Sequence, residues 1–195
     1  MKTLDTRAEP WAADEQGTRP LARRPDWPKS AVRVGFGIIW AIDAGLKWRA
    51  SFRTNYLGML TDASKGQASW LHPWFSFWID LQRPRVTLFA YLVATTETLI
   101  AAAVILGFAR KITYISGAVF SLLIWATAEG FGGPYTAQST DIGTAIIYAL
   151  VFLALLAMAA QYGPSRYSLD WVIEQRVPWW HRVAEVEWWS HRVTR

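Results

Sequence analysis

The chain of 195 residues carries twenty Lys and Arg against fifteen Asp and Glu, a formal net charge of +5, with 52% hydrophobic residues and no cysteine. The missing thiol excludes a cysteine nucleophile, a disulfide relay, an iron–sulfur cluster and covalently attached haem within this chain. The basic residues lie mostly in the tails and the first connector, where membrane proteins carry them, so the charge bears on orientation and not on nucleic acid.

Residues 1–30 (MKTLDTRAEPWAADEQGTRPLARRPDWPKS) mix acids, bases and four prolines without an apolar run. This is neither a secretory signal nor a transit peptide, and it reads as a polar tail. Residues 31–48 (AVRVGFGIIWAIDAGLKW) form a first candidate span that contains Arg33, Asp43 and Lys47.

The first connector holds ASWLHPWFSFWIDLQ, in which Trp70, Trp74 and Trp78 recur every four residues. That spacing predicts one helical face of indoles lying at the membrane interface, with Pro73 limiting the segment to a short or broken helix. Residues 86–107 are apolar around Glu97, residues 112–130 begin with the charge-free run ITYISGAVFSLLIWATA, and residues 142–162 contain IGTAIIYALVFLALLAMAA. Each is close to the roughly 20 residues needed to cross a bilayer core.

Four such runs joined by short polar connectors leave too little polar surface for a soluble domain of this length. The expected fold is all-α: a four-helix integral membrane bundle over 31–162, with interfacial amphipathic helices in the first outer loop and in the tail, 163–195. That tail contains DWVIEQRVPWWHRVAEVEWWSHRVTR, with five tryptophans. It reads as a membrane-surface anchor, with docking of a partner subunit as the alternative, because Trp and Arg dominate binding hot spots.

An even number of spans puts both tails and the turn containing Arg110 and Lys111 on one side. The third connector, FGGPYTAQST, has no basic residue, so the positive-inside tendency assigns the tails to the cytoplasm and that loop to the outside. A multi-pass protein of a prokaryotic plasma membrane is expected. The first connector, with Arg49, Arg53, Lys65, Arg83 and Arg85, departs from the pattern.

This topology gathers Asp43, Lys47, Glu129 and Asp141 at the outer face. Glu97 lies deeper, about eleven residues and hence ~16 Å into its span. A charged acid there costs at least ~2.5 kcal/mol, so it faces the bundle interior and is a functional candidate, with Lys47 its best partner. Plainer roles exist for the others: Asp43 and Lys47 are one turn apart and neutralise each other, and Asp141 is placed to cap the fourth helix.

Trp40 shares a helix face with Phe36, Asp43 and Lys47, Trp125 stands one turn before Glu129, and Tyr148 two turns after Asp141. Together they predict an aromatic cleft suited to a planar, amphipathic quinone. His72, His181 and His191 all lie outside the spans, which excludes bis-histidine haem inside the bundle, and no spacing diagnostic of a metal site is present.

The motifs carry one resemblance. GLK at 45–47, TET at 96–98, WATAEGFGGPY at 125–135, TDIGTAIIYAL at 140–150 and GPSRYSLD at 163–170 together resemble the DoxX/DoxD family over roughly residues 31–170. The resemblance implies a four-helix membrane bundle and a quinone-linked redox role like that of the small membrane subunit of thiosulfate:quinone oxidoreductase. On that expectation Asp43, Glu97, Glu129 and Asp141 relay protons or hold substrate, Lys47 offers charge to a small anion such as thiosulfate, and further subunits are partners. A non-catalytic accessory subunit and a proton-coupled small-solute carrier are the alternatives; the carrier lacks the internal repeat common in transporters.

Overall fold

The computed structural model describes residues 27–136, 139, 141–163 and 165–185, and among them every regular element is helical. Four long helices fall on the apolar runs: α1 (Trp27–Lys47), α4 (Val86–Leu106), α5 (Arg110–Ala126) and α6 (Thr144–Tyr162). Between the first two of them lie α2 (Ala50–Ser64) and α3 (His72–Gln82), and after α6 come the short α7 (Leu169–Glu174) and α8 (His181–Ala184). Two helical stretches, Ser69–Leu106 and Thr144–Tyr162, are long and apolar enough to cross a membrane by length and composition.

Helix ends follow local chemistry. Gly107 sits in the left-handed region at φ 66°, so its N–H and that of Phe108 turn back to the carbonyls of Ala103 and Val104 and stop α4. Pro73 stands in the first turn of α3, where its missing N–H costs nothing, so it starts this helix instead of breaking it.

The closest pairings are α1 with α4 and α5 with α6. Small residues make both possible. Gly37 of α1 meets the side chains of Val104 and Ile105, and Gly117 of α5 lies directly under the ring of Phe152, so the helix axes approach as they do in membrane bundles. Phe36, Trp40, Val104, Tyr114 and Phe152 form the core between them. The outward faces are apolar as well: Ile38, Ile39 and Ile42 on α1, Leu92 and Leu99 on α4, Val119 on α5, and Ile147 and Leu150 on α6 are all exposed.

The α2–α3 hairpin builds a second core. Tyr56, Leu60, Phe75 and Ile79 pack on Ala90 of α4, with Phe131 of the α5–α6 loop joining them. Trp70, Trp74 and Trp78 do not act as one interfacial stripe. Trp70 is exposed, Trp74 donates its indole N–H to the Ala126 carbonyl at 2.8 Å, and Trp78 is packed into the second core.

The tail is likewise not one continuous helix. Pro178 interrupts it, and the segment folds back on the bundle: Trp180 packs against Phe108 at 5.3 Å between ring centroids, and Lys111 donates to the Arg182 carbonyl at 3.0 Å. Trp188, Trp189 and His191, and residues 1–26 of the polar tail, lie outside the described residues.

Candidate ligand-binding site

Glu97 sits in mid-α4 with 0% of its surface exposed. The antiparallel packing of α1 brings Lys47, in the last turn of that helix, to its side: Lys47 Nζ stands 3.7 Å from Glu97 Oε2 and 3.3 Å from Asp43 Oδ2. The first distance is ion-pair range but too long for a hydrogen bond. Among the described residues, neither carboxylate oxygen of Glu97 has a hydrogen-bond partner.

A cavity of about 420 Å³ opens beside this acid. Its walls come from α2, α3, α4 and α5 and include Phe52, Tyr56, Trp78, Phe89 and Phe120, with Lys47, Glu97 and Glu129 as its charged groups. The volume lies in the range of small-molecule sites, which combine apolar walls with a few polar groups. Tyr56 donates its hydroxyl proton to Gln82 Oε1 at 2.5 Å across the α2–α3 hairpin. Burial pushes the Tyr56 hydroxyl up to about 12, so it stays a neutral donor at ordinary pH.

Glu129 works in two directions. It lies on the cavity wall, and both its oxygens accept from the Ala145 N–H, at 3.0 and 3.2 Å. It therefore caps α6 from the turn that follows α5, at the end where a negative charge is favoured. Gly143 makes room for it: at φ 90° the backbone turns sharply, and a Cβ there would meet Glu129 Oε2 at 2.5 Å. Asp141 is exposed and accepts the Gly143 N–H at 2.9 Å, shaping the turn without reaching the cavity.

The three aromatic residues expected to form a cleft have other surroundings. Trp40 is fully packed in the bundle core, with Phe36, Tyr148 and Phe152 around its ring and its N–H donated to the Glu97 carbonyl at 3.1 Å. Tyr148 lies against Trp40 and Phe36, and Trp125 donates to the Ile142 carbonyl at 2.7 Å. None of the three lines the cavity. Its aromatic wall comes instead from Phe52, Tyr56 and Trp78 of the first connector, with Phe89 of α4 and Phe120 of α5. Trp78, an i+4 repeat of Trp74, was visible as a motif, but a helical stripe of indoles does not reveal whether it faces lipid or a cavity.

A second buried ionic cluster has no counterpart among the residues expected to be functional. Asp170, the last residue of GPSRYSLD, is 0% exposed. It accepts the N–H groups of Ala109 and Arg110 at 2.7 and 3.0 Å, Arg110 Nε at 2.9 Å and Trp180 Nε1 at 2.9 Å. Beside it, Arg33 donates to the carbonyls of Val104, Ile105 and Tyr167. The motif thus clamps the tail to the α4–α5 turn. Close by, burial and then the negative charge of Glu185 raise the Glu174 carboxyl above its ordinary value.

Among the described residues no group of three or more Asp, Glu or His side chains is placed to hold a metal ion. No protein-family model, no curated protein and no solved structure matches the chain. The DoxX/DoxD resemblance therefore rests on its motifs.

Proposed function

We propose that the chain is a four-span membrane protein, a DoxD-like subunit of a quinone-linked oxidoreductase, whose quinone ring lies in the cavity beneath the α2–α3 hairpin. The observation that carries the reading is a cavity of about 420 Å³ with aromatic walls and a buried, hydrogen-bond-free carboxylate on one side. The outward apolar faces of α1, α4, α5 and α6 support the membrane setting, because a soluble monomer does not leave so large an apolar surface uncovered.

A bound quinone supplies a two-electron, two-proton couple. Glu97 is the group that gives up or accepts a proton at the cavity wall, since its oxygens are bound to no other donor. Lys47 holds the charge that a deprotonated Glu97 leaves, at 3.7 Å. Asp43 keeps Lys47 in place through their one-turn pair.

Sulfur oxidation is assigned to a further subunit. Asp43 and Glu97 flank the single charge of Lys47 and Glu129 lines the same cavity, so an oxidised-sulfur anion would meet net negative charge there. With no cysteine in the chain, electrons would reach the quinone from a bound cofactor or from another subunit.

The test is direct binding. Full-length protein in lipid nanodiscs, titrated with a short-chain benzoquinone, should bind one equivalent, and Val93→Phe, which fills the cavity, should abolish binding without loss of helix. Absence of binding to the wild type, or binding unaffected by Val93→Phe, would overturn the reading.

A non-catalytic accessory subunit is favoured by one observation. Trp179 stays 59% exposed beside the half-buried Trp180, as an interface anchor would. Trp179→Ala should then release a co-purifying large subunit while leaving the bundle in the membrane.

A further inference from the structure

The cavity also indicates which atom of its ligand is recognised, and where. Five other indole N–H groups have acceptors: Trp40 the Glu97 carbonyl, Trp48 the Thr98 hydroxyl, Trp74 the Ala126 carbonyl, Trp125 the Ile142 carbonyl and Trp180 the Asp170 carboxylate. Trp78 differs from these. Its Nε1 is buried and, among the described residues, has no hydrogen-bond partner, yet its side chain lines the same cavity as Glu97.

Three of the other donors around the cavity are engaged. Tyr56 donates to Gln82, Thr127 donates its hydroxyl to the Leu123 carbonyl, and Lys47 faces Asp43 and Glu97. The Trp78 ring is held by edge contacts with Trp74 and Phe77, at 5.6 and 5.4 Å between centroids, so its N–H keeps a fixed direction. A buried indole N–H left unpaired is costly, and it can only donate. What satisfies it must be an acceptor. That excludes a hydrocarbon tail or a cation at this point.

Glu97 makes the opposite demand: its two unpaired oxygens accept hydrogen bonds and protons. One ligand satisfies both groups if it is a ring carrying an acceptor oxygen together with a second oxygen that can bear a proton. We infer that Trp78 is the specificity-determining donor of the quinone site, binding a ring oxygen through its indole N–H while Glu97 serves the other. This inference rests on the quinone reading, and it makes the α2–α3 hairpin part of the site.

The test uses the full chain, uniformly labelled with ¹⁵N, in nanodiscs with 2,3-dimethoxy-5-methyl-1,4-benzoquinone as the probe. The Trp78 indole resonance, identified by its loss in Trp78→Phe, should move downfield on titration. The dissociation constant should rise about tenfold in Trp78→Phe, the effect of one neutral hydrogen bond to a buried donor. A ring analogue with both carbonyl oxygens removed should bind the two proteins alike. Wild-type binding with a stationary Trp78 resonance, or with equal affinity in Trp78→Phe, overturns the Trp78 assignment and leaves the quinone site standing. Failure of the wild type to bind overturns both. If Trp78→Phe does not fold, the resonance is identified by labelling Trp78 alone, and its movement in the wild type decides.

Discussion

Asp170 and Glu97 are both wholly withdrawn from solvent, yet their surroundings differ in every other respect. Asp170, beside the α4–α5 turn, accepts four hydrogen bonds, one of them from an arginine side chain. Glu97, in mid-α4, accepts none at its carboxylate among the described residues, has a lysine at 3.7 Å and borders a cavity. Burial alone does not separate a structural carboxylate from a reactive one; the number of donors satisfied does. A carboxylate with every lone pair engaged is fixed in charge and place, whereas one with free lone pairs can exchange a proton with whatever enters beside it.

The contrast breaks most visibly in stability. Asp170→Ala strips the partner from a buried Arg110 and frees the tail, and should destabilise the protein by about 3–5 kcal/mol, read as a lowered melting temperature in detergent. Glu97→Gln should leave that temperature unchanged or raised, because it removes an unsatisfied buried charge. If the two variants melt alike, the contrast fails.

Activity should show the reverse. Glu97→Gln should lower thiosulfate-dependent quinone reduction in membranes at least tenfold, about 1.4 kcal/mol in barrier, with insertion and amount unchanged. Full activity in this variant would remove Glu97 from any proton step.

Glu129 stands between these extremes, being both a cap and a wall. Glu129→Ala should cost about 1 kcal/mol, the value of a helix N-cap, while Asp141→Ala should cost less, since Asp141 shapes only an exposed turn. Equal losses in thermal melts would shift the cap to Asp141.

The smallest effect is one of pH at the clamped end. Glu174 has its carboxyl raised by burial and by Glu185, so the folded protein holds that proton more tightly than the unfolded chain. Its contribution to stability is complete below the ordinary value of 4.5 and is lost as pH rises through the raised folded value. The wild-type melting temperature should therefore decline slightly across that window, and Glu174→Gln should flatten the decline.

Apolar runs were the most legible part of the sequence. The run at 86–107 becomes Val86–Leu106 and the one at 142–162 becomes Thr144–Tyr162, because helix is the one local structure that satisfies a backbone with few polar neighbours. Lys47 as the neighbour of Glu97 was legible for a related reason, since a mid-helix acid needs a cation and few are within reach. Trp40 and Tyr148 were misleading as cleft residues, because helical spacing places them on one face without saying what that face meets. The place of Trp78 and Tyr56 on the cavity wall was hidden, because it depends on long-range contact of their connector with α4. Asp170 was least visible: in a polar segment an aspartate gives no contrast, and only the distant N–H groups of Ala109 and Arg110 reveal its role.

The clamp at Asp170 also sets an order of events during synthesis. Arg33 emerges from the ribosome early, but one of its acceptors is the carbonyl of Tyr167, and the donors of the α4–α5 turn have no carboxylate until residue 170 follows. Through most of translation the bundle is therefore unfastened at this end, with one side of a guanidinium and a strained turn, Ala109 at φ 47°, still without the partners that the later segment brings. The segment around residue 170 closes it on emerging, as a drawstring closes a bag. A nascent chain stalled before residue 170 should remain a substrate for membrane quality-control proteases, and one stalled with residues 165–180 fully exposed should not.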